Sequence, residues 1–469
     1  MTDRIRAQHV RAGLTAPASA EAGWRLGLLY GPAIYGVSAA AVALPAAAQG
    51  LRTDAATAVW ILAIHALGLG VGAAVAGRAT DIWRPRSVIG VGTALLVTGA
   101  VLCAIASALA VVVVGRGLLA AGSGAMTATA LALAAGTPAP ARPGVLTRLG
   151  TLMAMFSATA PLAGALALMA SWRVALMLPA LSVVALPACW TLIRSRSHQG
   201  GVGSLDWAGA LLLALAAGGL LLAVETATVE VARPAALVLV VITCAAGSLL
   251  VVHSKRHPTG FLPAAVVHDR LFWHCGLVGA GVYGGLFAAV YAVPNALAHL
   301  GHSAGTVGVL LLPGAIVGAV LARLATAACG RLPPNKVLAA MAALFSVAIL
   351  LAAADRRPAI LVGAATVGFA AFALAQMTLT ATLSARIAAD ARGGAVGVLN
   401  LLFFLGGALG SMTCAVFWKP FGLPAAFAAT AVFPAGAAVA AWHLSLARIR
   451  EAQILRGEGQ TGAREEAVE

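Results

Sequence analysis

The length of its uncharged apolar runs constrains this chain more than any other feature. Thr57 to Ala76 contains no Asp, Glu, Lys or Arg, and Val337 to Ala354 is equally free of them. Runs of ~18 or more such residues are long enough to cross a ~30 Å hydrocarbon layer as helices. In water they would have nothing to cover them. Only 10% of the residues are charged and 61% are apolar, whereas a soluble domain is about a quarter charged. The expected class is an all-α polytopic membrane protein whose solvent is the lipid bilayer.

Apolar blocks fall at 25–47, 57–77, 88–109, 110–136, 149–170, 174–193, 207–224, 235–252, 271–295, 307–326, 337–354, 359–381, 395–417 and 425–445, fourteen in all. A charged N-terminal segment, 1–24, precedes them and a charged tail, 446–469, follows. An even count puts both termini on one side. Of the 30 Lys and Arg, twenty-three lie in segments on the side of the termini and six lie on the other (Arg52, Arg173, Arg233, Arg356, Arg357, Lys419). The last, Arg116, falls inside a span. Loops rich in Lys and Arg stay in the cytoplasm, so both termini are expected there, with the chain multi-pass in the inner (plasma) membrane. One miscounted helix would scramble this split.

The net charge of +15 is spread over short loops and is not gathered on one folded face, which points away from a nucleic-acid partner. The six cysteines show no C-x-x-C pair and read as small packing residues, with no metal site expected. Ala46-Ala47-Ala48 after the first span superficially resembles a signal-peptide cleavage site. The apolar stretch before it is too long for a signal peptide, so a retained helix is expected.

The two halves of the chain repeat at an offset of 249 residues. Ala39, Ala43, Pro45 and Leu51 lie over Ala288, Ala292, Pro294 and Leu300, and Pro85 and Val88 lie over Pro334 and Val337. The organisation this implies is a six-helix bundle (25–193), a two-helix insert with its flanking cytoplasmic loops (194–270), and a second six-helix bundle (271–445). Internal repeats around a central path are a common transporter plan.

Particular motifs then carry a resemblance. Gly77-Arg78-Ala79-Thr80-Asp81-Ile82-Trp83-Arg84-Pro85-Arg86 resembles the loop motif G-x-x-x-D-R-x-G-R-R of the major facilitator superfamily. Gly77, Asp81 and Arg86 match, while Ile82, Arg84 and Pro85 depart from it. The stretch Phe156 to Ala165 is similar to the antiporter motif G-x-x-x-G-P-x-x-G-G and keeps Pro161 and Gly164. Ser171-Trp172-Arg173, Leu205-Asp206-Trp207-Ala208-Gly209, Gly308 to Gly314 and Gly397 to Phe404 resemble the 14-span drug:proton antiporter branch, including the Gram-positive type of tetracycline exporter. The resemblance implies a major facilitator fold of 6 + 2 + 6 helices. It also implies gating residues at Gly77, Asp81, Arg84, Arg86, Pro161 and Gly164.

Arg116 is the one strong charge deep in a span, and a cation there costs at least ~2.5–3.5 kcal/mol unless it faces a partner or a polar cavity. It stands where the superfamily's fourth-helix motif R-x-x-Q-G places an arginine, with Leu119 and Ala120 in place of Gln and Gly. The alternative is snorkelling to the surface. His65, mid-span, has a side chain suited to proton exchange and is equally readable as a packing residue. Tyr35, Ser38, Tyr283, Tyr291, Asn295, Gln376 and Asn400 are the other groups expected to edge a substrate cavity. Drug:proton relatives often carry an acid in the first span; this chain has Tyr35-Gly36-Val37-Ser38 there, and all fifteen of its acids fall in loops, tails or span ends.

The expected function is secondary export of amphipathic or aromatic small molecules by alternating access, with protons as coupling ion, no other cofactor and a monomeric chain. No Gly-Lys-Ser/Thr phosphate loop, H-E-x-x-H or G-x-S-x-G occurs, which argues against a nucleotide engine or an enzyme. An uncoupled facilitator or importer of a metabolite is the second reading, and a non-transporting membrane sensor the third.

Overall fold

The computed structural model describes residues 16–53, 58, 60–138, 140–195, 205–226, 233–257, 260–261, 266, 268–388 and 391–445. The expected tail 446–469 and most of the segment 1–24 lie outside the described residues. Backbone groups in hydrocarbon must be bonded within their own segment, and the described residues are accordingly helical throughout the spans, with no strand.

Among the described residues thirteen helices are long and apolar enough to cross a membrane: α1 Glu21–Gly50, α2 Trp60–Ile82, α3 Pro85–Ile105, α4 Leu109–Ala135, α5 Arg142–Ala170, α6 Trp172–Ile193, α8 Pro234–Arg256, α9 Arg270–His299, α10 Gly305–Ala328, α11 Pro334–Ala354, α12 Pro358–Ser384, α13 Arg392–Trp418 and α14 Pro420–Ser445. Between α6 and α8 lies a shorter apolar helix, α7 Trp207–Glu225. Each expected block is therefore a helix. The largest boundary change is at α5, which begins at Arg142 instead of 149 because Pro143 at its second position starts the helix early.

The offset of 249 is a property of the fold as well as of the sequence. Adding it carries α1 onto α9, α3 onto α11 and α4 onto α12 residue for residue at both ends. Pro45 and Pro294 sit inside the last turns of α1 and α9, and Pro85 and Pro334 open α3 and α11.

The α1–α6 bundle is built on α2–α4, α3–α4 and α1–α5 packing, and the α9–α14 bundle on α9–α13, α9–α12 and α11–α12 packing. The bundles meet along two seams, α2 against α13 and α5 against α10. The insert helices α7 and α8 pair with each other, and α7 alone leans on α2 and α13. Almost none of α8 is buried. The end of the bundle at which α1 begins is the basic end, since its loops hold most of the Lys and Arg.

Local irregularities follow the prolines. The α1 ladder tightens to a 3₁₀ turn at Gly31–Ile34 around Pro32, and α6 contains a 3₁₀ stretch, Leu178–Ala185, that begins beside Pro179. Pro420 and Pro424 flank Gly422, whose φ of 79° breaks the otherwise continuous run from α13 into α14.

Candidate functional site: a mid-depth cavity and a clamp at the basic end

Asp81 lies in the last turn of α2, where a negative charge opposes its own helix dipole. Its purpose is read from its partners on the other bundle. Oδ1 accepts from the Gly393 N–H at 2.7 Å and Oδ2 from the Gly394 N–H at 2.7 Å. One carboxylate thus caps the N-terminus of α13, where donors are unsatisfied and the dipole favours an anion. Arg78 also reaches Asp81 at 3.7 Å.

Such an approach needs bare backbones. A Cβ on Gly77 would stand 3.0 Å from the Gly397 Cα, and one on Gly393 would stand 2.6 Å from Asp81 Oδ1. Gly77 and Asp81 therefore act together at one contact. Arg84 and Arg86 are exposed at the start of α3. Pro161 and Gly164 are buried in α5, where a Cβ on Gly164 would lie 2.9 Å from the Ala39 Cα, so this stretch sets α5 against α1.

Above the clamp, at mid-depth, a narrow cavity of about 30 Å³ lies between the bundles. Its wall from the first bundle includes Tyr30, Ser38, Leu69, Thr127 and Ser157; the facing wall includes Leu286, Phe287, Phe372 and Phe404. No acid or base lines it. Its floor is a polar chain joining the two bundles. Tyr283 donates to Gln376 Oε1, Gln376 Nε2 donates to Thr380 Oγ1 at 3.2 Å, and the Tyr30 hydroxyl meets that of Tyr283. Rings crowd Tyr283, with Phe372 at 4.8 Å and Phe403 at 5.0 Å between centroids. The basic-end halves of α4 and α12 below this floor are almost wholly buried. The conformation is closed at the basic end.

Arg116 is 0% exposed and faces neither the cavity nor the surface. Nε donates to the Ile61 carbonyl at 3.3 Å, Nη1 to that of Leu176 at 2.8 Å and Nη2 to that of Gly36. It therefore ties α4 to α2, α6 and α1 through backbone. The Leu176 carbonyl lies where α6 turns 3₁₀ and the residue three ahead is Pro179. Proline has no N–H to occupy that oxygen. The expected polar partner of Arg116 exists, as carbonyls; snorkelling does not occur.

His65 is also 0% exposed. Its ring lies beside the Arg116 backbone, with no hydrogen bond of good geometry at either nitrogen. It is held against Gly36, where any side chain would collide with the imidazole.

The remaining expected residues are dispersed. Tyr35 is half-buried beside the cavity and bonds Thr159 Oγ1 at 3.0 Å, with its ring 5.2 Å from Phe156. Ser38 lines the cavity. Asn400 is buried in α13, with Nδ2 on the Val396 carbonyl at 3.1 Å and Oδ1 without a partner. Tyr291 and Asn295 are exposed toward the opposite end, where Tyr291 meets Trp418 at 5.9 Å. Sequence reading missed Tyr30, Thr127, Ser157 and the three lining phenylalanines. Tyr30, Ile34, Val37 and Ser38 recur at helical spacing on one face of α1, a pattern that could have found the first of them.

The sequence profile of the Major Facilitator Superfamily matches residues 26–411. No curated protein matches the sequence. Among solved structures the chain is similar in fold to the human organic anion transporter MFSD10 (TETRAN). The two are 17% identical, the match covers 90% of this chain and 98% of that one, and the TM-score is 0.61. The chain belongs to the Major Facilitator Superfamily as a multi-pass membrane transport protein.

Proposed function

We propose that this transporter is a secondary exporter of amphipathic or aromatic small molecules, of the 14-span drug or antibiotic efflux kind, working by alternating access in exchange for protons. The observation that carries the reading is the cavity wall, where phenylalanines face a few hydroxyls across the bundle interface. Apolar lining with sparse hydrogen-bonding groups selects greasy molecules loosely and orients them. Organic anions, named for the human neighbour, would find no cation on this wall, since Arg116 is spent on carbonyls. In this reading the basic end is cytoplasmic, the membrane is the plasma membrane, the chain acts as a monomer, and the closed basic end is the state that exchanges substrate with the outside.

With no carboxylate on the cavity wall, proton exchange falls to Asp81 at the clamp and His65 behind Gly36. The same lack favours a second reading, an uncoupled facilitator. Everted vesicles carrying the protein separate the two. Exchange predicts uphill accumulation of a fluorescent aromatic dye that collapses when the pH gradient is dissipated. Dye that equilibrates without accumulating, with or without the gradient, would overturn exchange and leave the facilitator.

A further inference from the structure

A second and larger space lies outside the transport path. Between the insert pair and the second bundle is a crevice of about 290 Å³, walled by α7, α8, α9 and α13. Its walls are apolar, with Leu213 of α7, Leu250 of α8, Phe272 of α9 and Leu402 of α13 among them. The polar residues on it, Ser254, Lys255 and His268, all lie at the basic end, where α8 finishes and α9 is about to begin.

The depth of the crevice follows from helix rise. Its α7 residues run from Leu213 to Leu220 and its α13 residues from Val398 to Leu405. Both stretches start several residues inside their helix's basic-end terminus. At ~1.5 Å per residue the crevice reaches from the basic-end surface to roughly 20 Å along the helices, about one leaflet of a ~30 Å core. Because α8 is nearly all exposed, the crevice is bounded on one side by a helix that itself stands in lipid.

Charge identifies the headgroup. Lys255 is exposed beside Arg256, and Arg270 is exposed at the start of α9. The acids nearest in sequence are engaged: Asp206 accepts from His253, Gly209 and Phe261, and Asp269 accepts from the Leu271 N–H at 2.8 Å. Three cations, Lys255, Arg256 and Arg270, stand there against the two carboxylates of Asp206 and Asp269, so the mouth of the crevice presents net positive charge. Trp273, 50% exposed on its wall, stands where indoles favour the headgroup boundary.

We propose that the insert pair creates a binding site for an anionic phospholipid of the basic-end leaflet, with an acyl chain in the crevice and the phosphate at Lys255. The occupant is a lipid because the site is one leaflet deep, apolar below and cationic at the interface, and opens on the bilayer. It gives the two extra helices a task that a twelve-helix plan would lack: holding a lipid against α9 and α13. The site is independent of what is transported.

The test uses the full chain in nanodiscs, with Trp273 as reporter. Quenching by dibrominated phosphatidylglycerol and by dibrominated phosphatidylcholine is compared, and the Trp273 part is isolated by subtracting a Trp273→Phe variant. A lysine near an anionic surface contributes on the order of 1 kcal/mol, so quenching by the anionic lipid should reach half-effect at about fivefold lower mole fraction. Lys255→Gln should remove that preference, Lys255→Arg should keep it, and Ala217→Phe, which fills the crevice, should weaken quenching by both lipids. Equal quenching by the two lipids in the unaltered protein, or a preference that survives Lys255→Gln, would overturn the proposal. So would displacement of the brominated lipid by a transported dye, which would make the crevice a substrate site.

Discussion

Replacing Asp81 by Asn tests the clamp with the smallest change of shape. In the closed state the carboxylate is only 5% exposed and accepts two backbone bonds of 2.7 Å. Hydrogen bonds to a charged group contribute ~1.5–3 kcal/mol each, against ~0.5–1.5 for neutral ones. The asparagine carbonyl oxygen can keep one N–H of α13, while its NH₂ faces the other and cannot accept. The closed state should therefore lose about 2–4 kcal/mol relative to states in which residue 81 meets water, or roughly 30- to 1000-fold in population.

Spin labels at Arg86 and Arg386, both exposed at the basic end and on opposite bundles, would read this by double electron–electron resonance. The unaltered protein should show one short distance, and Asp81→Asn a dominant longer one, with the reactivity of a cysteine introduced at Tyr291 falling as the opposite end closes. Arg78→Gln is the control, because the Arg78–Asp81 separation of 3.7 Å is a weak contact and its loss should open little. An unchanged distance distribution in Asp81→Asn refutes the capping account. Equal opening by Arg78→Gln would move the clamp from the helix terminus to the ion pair.

Three further outcomes are expected. Gly36→Ala should cost about 1–3 kcal/mol by overpacking against His65, and His65→Ala in the same chain should recover most of it; melting of the purified protein in detergent gives both numbers. Arg116→Lys should lower stability by about 2–4 kcal/mol, because an ammonium cannot reach three carbonyls on three helices, and a melting temperature within error of the parent would contradict the staple. Asp206 is held below the usual carboxylate range: burial pushes it up, but the Gly209 and Phe261 N–H groups and His253 outweigh this. Its contribution is thus complete above an ordinary aspartate pKa of about 4 and is lost as pH falls below that. Proteolysis of the loops flanking the insert should stay constant from pH 7 to about 5 and rise only under stronger acid, whereas Asp206→Asn should show the rise at neutral pH.

Sequence exposed the parts of this fold that rest on one-dimensional regularities. Apolar length gave the helices and their order, and prolines at matching places gave the repeat. Gly77 and Asp81 could be singled out, yet their partners Gly393 and Gly394 lie more than three hundred residues on and contribute only N–H groups, which leave no trace in residue type. Arg116 was visible as an anomaly for the same reason that its solution was not. Its charge is solvated by carbonyls of Gly36, Ile61 and Leu176, and any residue has a carbonyl. The cavity was partly legible: Tyr35, Ser38, Tyr283 and Gln376 fall on or beside it, while Tyr291 and Asn295 lie toward the far end because polarity alone does not report depth.

The repeat also shows where the two halves are not alike. The offset of 249 places Asp81 on Gly330, His65 on Gly314 and Arg116 on Ala365, so these three groups have no counterpart in the second bundle. It also places Gly393 on Gly144. A Cβ on Gly393 would run into Gly77, Thr80 and Asp81, whereas one on Gly144 would meet only Arg148 of its own helix, at 3.1 Å. The α2–α13 seam is thus pinned at the basic end and the α5–α10 seam is not; its tight contact is at the other end, where a Cβ on Gly308 would stand 2.9 Å from the Leu162 Cα. A rocking motion that opens the basic end must break the first contact and can leave the second in place. Gly393→Ala should therefore open the basic end as Asp81→Asn does. Gly144→Ala, at the equivalent position, should leave the distance between Arg86 and Arg386 unchanged and stabilise the chain by ~0.5–1 kcal/mol through helix propensity. Equal opening by both alanines would mean that the two seams are gated alike.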